Sequence, residues 1–188
     1  FQPQLQRNQG VVGAEVLIRW RHPTQGMIAP GHFIPVAESS GQILAIGRWV
    51  LQQSCHQLAE WARRPETANR YLAVNISARQ LHSAGFVEDV STALQDSGAR
   101  PERLLLELTE SQLLDDVDGV IAKMSVLRAH GVKPLAADEL GSNETLKQAV
   151  MAGMGIAFLS HHTFAMEVES GRLVRLDVAD TPVIREWN

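Results

Sequence analysis

The sequence predicts an α/β fold with a mostly parallel sheet of about seven or eight strands, flanked by helices. Two observations lead to this fold class. Short runs of branched apolar residues alternate along the chain with longer segments whose apolar residues recur at helical spacing. Apolar residues make up 45% and charged residues 20% of the 188 residues, as in ordinary globular domains. Parallel strands require helix-length connections, so we expect one merged α/β domain over residues 1–188.

The predicted elements alternate between strand and helix. Strands are expected where branched apolar residues cluster, at residues 11–20, 72–76, 103–108, 135–137, 156–159 and 173–178. Helices are expected where apolar residues recur every three or four positions, at residues 33–63 (a short helix and then a long one), 86–95, 116–130 and 143–151. Gly98 and Gly131 are placed to end two helices, and Cys55, the single cysteine, is expected to be a buried core thiol. Strand order and barrel closure stay open.

Net charge and hydropathy argue against several classes of partner. The net charge of -4 and the isoelectric point near 6.0 give no basic surface for nucleic acid or for an anionic membrane. No apolar run approaches the roughly 20 residues that cross a bilayer, and no signal-like segment precedes the first strand. We therefore expect a cytoplasmic protein with no nucleic acid or membrane partner. An open sheet edge would allow self-association.

Four oxygen-bearing side chains lie near the ends of successive predicted strands. They are Glu15, Asn75, Glu107 and Asp138. The carboxyl ends of parallel strands meet on one face, so these side chains can converge. Carboxylates and an amide oxygen, without cysteine, suit Mg²⁺, Mn²⁺ or Ca²⁺. The residues alone leave open a second interpretation, in which each acid caps a helix or pairs with an arginine.

Four blocks of sequence together resemble the EAL family of cyclic di-GMP phosphodiesterases. They are GAEVLIRWRHP (13–23), APGHFIPVAESSG (29–41), AVNISARQL (73–81) and LELTES (106–111). The resemblance covers residues 1–133 approximately and implies part of a (β/α)₈ barrel. The signature glutamate would be Glu15, followed here by Val16 where the family has alanine.

The same resemblance implies roles for particular residues. Glu15, Asn75 and Glu107 would be metal ligands. Gln2, Leu17 and Arg19 would contact the dinucleotide, and Glu110 would steady a catalytic loop. In such a site a divalent metal pair polarises a phosphodiester and generates a hydroxide, while an arginine neutralises a phosphate.

The later sequence departs from the EAL pattern. The family has two adjacent aspartates followed by Phe-Gly, where this chain has Asp138-Glu139-Leu140-Gly141. Residues 142–188 do not resemble the family's lysine-containing strand, its Glu-Gly-Val-Glu strand or its final glutamine. We therefore expect no intact catalytic site and no required cofactor. Mg²⁺ or Mn²⁺ and cyclic di-GMP would bind weakly if they bind.

Residues 139–178 resemble a second family, the effector-binding domain of LysR-type transcription regulators. This resemblance covers residues 131–188 approximately and implies a periplasmic-binding-protein-like, flavodoxin-like fragment. The helix that follows Ser142 and Asn143 would present free N–H groups to a small anion, unless one of these residues is simply the helix cap. His161 and His162 are interpreted as a solvated loop rather than a metal pair, because adjacent side chains point in different directions.

Together the two resemblances predict a designed or recombined chimera that tests fold recombination, with an EAL-like half barrel (1–133) merged into a LysR-like fragment (134–188). The join would lie inside a βα unit, where both families share local geometry. The alternative function is a residual binding module for cyclic di-GMP or a divalent cation. Two further readings are less favoured: a phosphodiesterase completed by a partner chain, and an effector-responsive regulator.

Overall fold

The fold is described from a computed structural model, which describes residues 1–6, 10–108, 116–136, 143–151, 153 and 161–176. The strands are β1 (Gln2–Gln6), β2 (Gly10–Val16), β3 (Trp20–His22), β4 (Gly26–Ile28), β5 (Tyr71–Asn75), β6 (Leu104–Leu108) and β7 (Lys133–Ala136). The α-helices are α1 (Pro30–Ser40), α2 (Ile43–Ala62), α3 (Ala78–His82), α4 (Phe86–Ser97), α5 (Val117–Ala129), α6 (Asn143–Met151) and α7 (His161–Glu169).

The main sheet has the strand order β1-β2-β5-β6-β7. β1 runs antiparallel to β2, and the other neighbours are parallel, so four strands form the parallel part predicted from the sequence. The expected seven or eight strands are not reached in the described residues, where this sheet has five. The predicted strand at 156–159 lies outside the described part. Residues 173–176, the described part of the strand predicted at 173–178, are not a strand, and Val174 and Leu176 are 81% and 56% exposed.

The strand predicted at 11–20 ends at Val16, and a small hairpin of β3 and β4 follows where a loop was expected. A side chain stabilises its turn: His22 Nδ1 accepts hydrogen bonds from the backbone N–H groups of Thr24 and Gln25, both at 3.3 Å. Gly26 has a φ of +73°, which suits glycine at the end of a tight turn. The contacts are local and polar, so apolar periodicity does not reveal them.

The predicted helices are present, and several of their ends follow the expected signals. α4 ends at Gly98, which has a φ of +68° and donates its N–H to Leu94 O. α5 begins after Asp116, whose side chain accepts from the N–H of Gly119 at 3.1 Å. α7 begins at His161, so the loop expected at the two histidines is wrong. Among the described residues, no helix has the length and apolar character needed to cross a membrane.

The hydrophobic core lies between the parallel strands and the helices that cover them. Its most completely buried large side chains come from β5, β6 and the helices α2, α3, α4 and α5: Leu51, Cys55, Leu72, Val74, Leu81, Phe86, Val90, Leu104, Leu106, Leu108, Met124 and Leu127. The predicted burial of Cys55 is confirmed, since its exposed fraction is 0%. Burial of these apolar side chains holds the carboxyl ends of β2, β5 and β6 in register.

Candidate functional site

Three of the four predicted metal-ligating side chains lie together at the carboxyl ends of adjacent strands. Glu15 is near the end of β2, Asn75 is the last residue of β5, and Glu107 is near the end of β6. Asn75 and Glu107 are paired in the β5–β6 register. Asn75 Nδ2 donates a hydrogen bond to Glu15 Oε1 at 2.7 Å. We call these three residues the strand-end cluster.

The donor set of the strand-end cluster fits a hard divalent cation. Two carboxylates and an amide oxygen are oxygen ligands of the kind that Mg²⁺ and Mn²⁺ use, and Asn75 is exposed to solvent. In the structure the Asn75 nitrogen faces Glu15, so a shared cation requires the amide to turn and present Oδ1. In the described part of the chain, His, Cys, Asp and Glu form no group of three or more suited to a metal ion. The cluster therefore supplies part of a coordination shell.

Two of the residues implied to contact the dinucleotide adjoin the cluster. Gln2 on β1 is the register partner of Glu15. Leu17 lines a cavity of about 230 Å³ together with Asn75. Arg19 lines a larger neighbouring cavity, where its guanidinium donates to Ile18 O at 2.8 Å. The fold thus places all three near one end of the sheet.

The remaining predicted site residues cannot be placed in this geometry. Asp138, Glu110 and Ser142 lie outside the described residues. Asn143 is the first residue of α6, but its side chain is also outside the described part. Their roles stay predictions.

Sequence reasoning missed a polar pair beside the cluster. Ser77 and Gln80 form a capping box at the start of α3: Ser77 Oγ accepts from the Gln80 N–H at 3.2 Å, and Gln80 Oε1 accepts from the Ser77 N–H at 3.2 Å. Both line the smaller cavity, and they fix the chain direction directly after β5. The Ser-x-x-Gln spacing after a buried strand is the signal that could have found them.

The fold is that of an α/β protein, with helices packed on a mostly parallel sheet. Two carboxylates and an amide lie at the carboxyl ends of its strands and form a candidate divalent-cation site. The family comparisons refine this class. The EAL domain model matches residues 1–148, so the chain belongs to the EAL domain family. A shorter match, to the LysR substrate binding domain, covers residues 113–188 and overlaps the first.

The chain is similar to two bacterial proteins of known sequence. It is 40% identical over 143 residues to the bifunctional diguanylate cyclase/cyclic di-GMP phosphodiesterase MucR of Pseudomonas aeruginosa. The aligned residues cover 76% of this chain and 21% of that protein. It is 37% identical over 143 residues to the oxygen sensor protein DosP of Escherichia coli, covering 76% of this chain and 18% of that protein. The chain thus spans about a fifth of the length of these relatives.

Solved structures share the fold. The PaMucR phosphodiesterase in complex with c-di-GMP has a TM-score of 0.72 and 38% identity, over 78% of this chain and 61% of that one. The EAL enzyme Bd1971 in a cAMP- and cyclic-di-GMP-bound form has a TM-score of 0.70 and 25% identity, over 90% of this chain and 46% of that one. The main sheet is therefore similar to that of the barrel-like EAL structures.

Proposed function

We propose that this chain is a recombined α/β protein without an intact catalytic site, whose strand-end cluster persists as a weak site for a divalent cation and cyclic di-GMP. The hydrogen-bonded approach of Asn75 to Glu15, beside Glu107, carries the binding part of the proposal. The second family match, over residues 113–188, supports the chimeric part.

The chemistry of the cluster explains why binding and catalysis separate. A bound divalent cation would polarise a phosphodiester and make bound water more acidic. Glu15 and Glu107 would hold the cation, and Arg19 would contribute a guanidinium charge to a phosphate oxygen. Hydrolysis also needs groups that position and deprotonate the water. The LysR match over residues 113–188 supports the inference that the EAL strands which supply such groups are replaced in the later part of this chain.

Turnover is tested with cyclic di-GMP in Mn²⁺ or Mg²⁺, with the linear product followed by chromatography. We expect no hydrolysis above that of buffer containing the metal alone. Hydrolysis that Glu15→Ala abolishes would overturn the non-catalytic part of the proposal, since contamination by another phosphodiesterase would not respond to this substitution.

Binding is tested by calorimetry with Mn²⁺ alone and with cyclic di-GMP alone. Glu15→Gln removes the charge but keeps the shape, and should weaken Mn²⁺ binding by about tenfold or more, equivalent to about 1.4 kcal/mol. Glu66→Gln makes the same chemical change at an exposed residue of the turn before β5 and should leave the affinity unchanged. Equal effects of the two substitutions would argue against a site at the strand ends.

A further inference from the structure

Helix α3 is a single turn that begins shortly after Asn75, a residue of the strand-end cluster. It spans five residues, Ala78–His82, and a helix this short is not stable on its own in water. Two of its residues are buried, since Gln80 is 7% exposed and Leu81 is 0% exposed. The direction of α3 therefore depends on the side chains of other elements that bond to it.

Lys123 of α5 bonds to the carboxyl end of this turn. Its Nζ donates to Leu81 O at 2.6 Å and to Ser83 O at 3.1 Å, although these residues are 42 and 40 positions away in the sequence. Carbonyl groups at the end of a helix carry partial negative charge, so they favour a cation. Lys123 is half-buried, and charge-assisted bonds of this kind are stronger than neutral bonds in water.

A short chain of hydrogen bonds leads from this lysine to the strand-end cluster. Leu81, which accepts from the lysine, donates its own N–H to Ser77 O at 3.0 Å. Ile76, which precedes Ser77, donates its N–H to Glu107 O at 3.1 Å. The segment that follows Asn75 is thus bonded to β6 on one side and to α3 on the other. Because α3 is one turn, a shift of its carboxyl end also displaces its start.

We propose that Lys123 is a positioning residue for the strand-end cluster: by fixing α3, it holds the Asn75 side chain where a cation needs it. This inference rests on the proposed cation site and deepens it, because the affinity for the cation would then depend on a side chain of α5. The charge of Lys123 acting through space would instead oppose the binding of a cation. The positioning effect and the charge effect therefore have opposite signs, which makes them separable.

Calorimetry with Mn²⁺ is the first test. Lys123→Met removes the donors and the charge but keeps an unbranched chain, and should weaken Mn²⁺ binding about threefold or more. This is less than the roughly 10- to 100-fold loss on removing a direct partner of a metal ligand. Lys123→Arg can still donate to both carbonyls and should restore most of the affinity. Lys133→Met, the same change at an exposed residue of β7, should not weaken binding.

A double substitution tests whether Lys123 acts through Asn75. In a chain that carries Asn75→Ala, Lys123→Met should cause no further loss of Mn²⁺ affinity, because the side chain that it positions is already absent. The same threefold loss in both backgrounds would overturn the proposal. Unchanged or tighter Mn²⁺ binding by Lys123→Met alone would also overturn it, because the charge would then be the only effect of this residue.

Nuclear magnetic resonance of the metal-free chain tests the inference without the cation. Asn75 Nδ2 donates to Glu15 Oε1 at 2.7 Å, so the side-chain amide signal of Asn75 reports its position. Lys123→Met should shift or broaden this signal, whereas Lys133→Met should not. Lys123→Gln keeps a neutral donor, should give a smaller change, and serves in place of Lys123→Met if that variant does not fold.

The two measurements distinguish failure of this inference from failure of the proposed function. An Asn75 signal that does not respond to substitution of Lys123 would overturn the inference, whether or not Mn²⁺ binds. A signal that responds, in a chain that does not bind Mn²⁺, would support the positioning role and contradict only the proposed cation site.

Discussion

Gly47 on α2 lies against the side-chain amide of Gln80, which is held in the capping box of α3. A Cβ at position 47 would collide with that amide. The Gln80 amide would have to move aside, and because it also bonds Ser77 this movement would disturb the reciprocal cap. Gly47→Ala should therefore lower the free energy of unfolding by about 1–3 kcal/mol, measured by urea titration.

Gly31 is the matched control for this prediction. It is also a helical glycine, in the first turn of α1, and a Cβ there meets nothing within 4 Å. Gly31→Ala should leave the free energy of unfolding unchanged or raise it by up to about 1 kcal/mol, because alanine favours helix. If both substitutions had the same effect, the contact between Gly47 and Gln80 would not be the cause.

Cys55 gives a second test at the residue scale. Burial raises the pKa of its thiol to about 12, and its exposed fraction is 0%. Alkylation requires the thiolate and access to solvent, so iodoacetamide should label the native chain at least about a hundredfold more slowly than the urea-unfolded chain at the same pH. Mass spectrometry measures both rates. Rapid labelling under native conditions would contradict burial of α2 against the sheet.

The candidate site was predictable to the extent that strand ends were predictable. Glu15, Asn75 and Glu107 each follow a buried apolar run, and parallel strands bring such ends together, so their proximity could be expected. The direction of the Asn75 amide could not be predicted, because it depends on a side-chain hydrogen bond between strands that are distant in sequence. The ring contact between Trp20 and Phe33 was missed for the same reason, because the two rings meet only in the folded chain.

At the scale of elements, α6 and α7 are joined by an ion pair that depends on pH. Lys147 Nζ lies 2.9 Å from Glu167 Oε1, and the two side chains are 9% and 6% exposed. The hydrogen bond from Lys147 lowers the pKa of Glu167, against the opposing effect of burial. A carboxyl whose pKa is lower in the folded state contributes stability above its unfolded pKa of about 4.3 and loses it as pH falls through the folded pKa.

We therefore expect acid to weaken the packing of α7 on α6 below about pH 4.3. Glu167→Gln should reduce this part of the acid dependence of the free energy of unfolding, measured by urea titration across the acidic range. Glu169→Gln, at an exposed residue of the same helix, is the control and should keep the dependence of the unsubstituted chain. Acid curves that are the same for both substitutions would show that the ion pair does not couple the helices.

Long apolar periodicity predicted α2, α4 and α5 well, since each buries one face against the sheet. Short elements were harder. The β3–β4 hairpin and α3 depend on turn and capping contacts rather than on periodicity. Residues 173–176 have a strand-like sequence but are not paired with any of the described strands. A pattern of apolar residues predicts the capacity for burial, and burial requires a partner that the local sequence does not specify.

At the scale of the whole molecule, the two family matches overlap at residues 113–148, which contain α5, β7 and the first part of α6. The overlapping segment is part of the main sheet, because its strand β7 pairs with β6. Leu105 is paired with Lys133 at one end of this register and Leu108 with Ala136 at the other. Arg128 of α5 also lies directly against Gly153, which follows α6. A join placed inside paired elements would couple the folding of the segments on either side, unlike a join in a linker.

One merged domain predicts one cooperative thermal transition for the whole chain. Far-ultraviolet circular dichroism reports all the helices, and alkylation of Cys55 reports the core under α2, so the two should give the same midpoint. Limited proteolysis below that midpoint should not release a stable fragment ending near residue 133. Two separate transitions, with Cys55 protected through the first, would mean that the later segment folds on its own. The shared sheet would then not couple the two segments, and the chain would consist of two units instead of one.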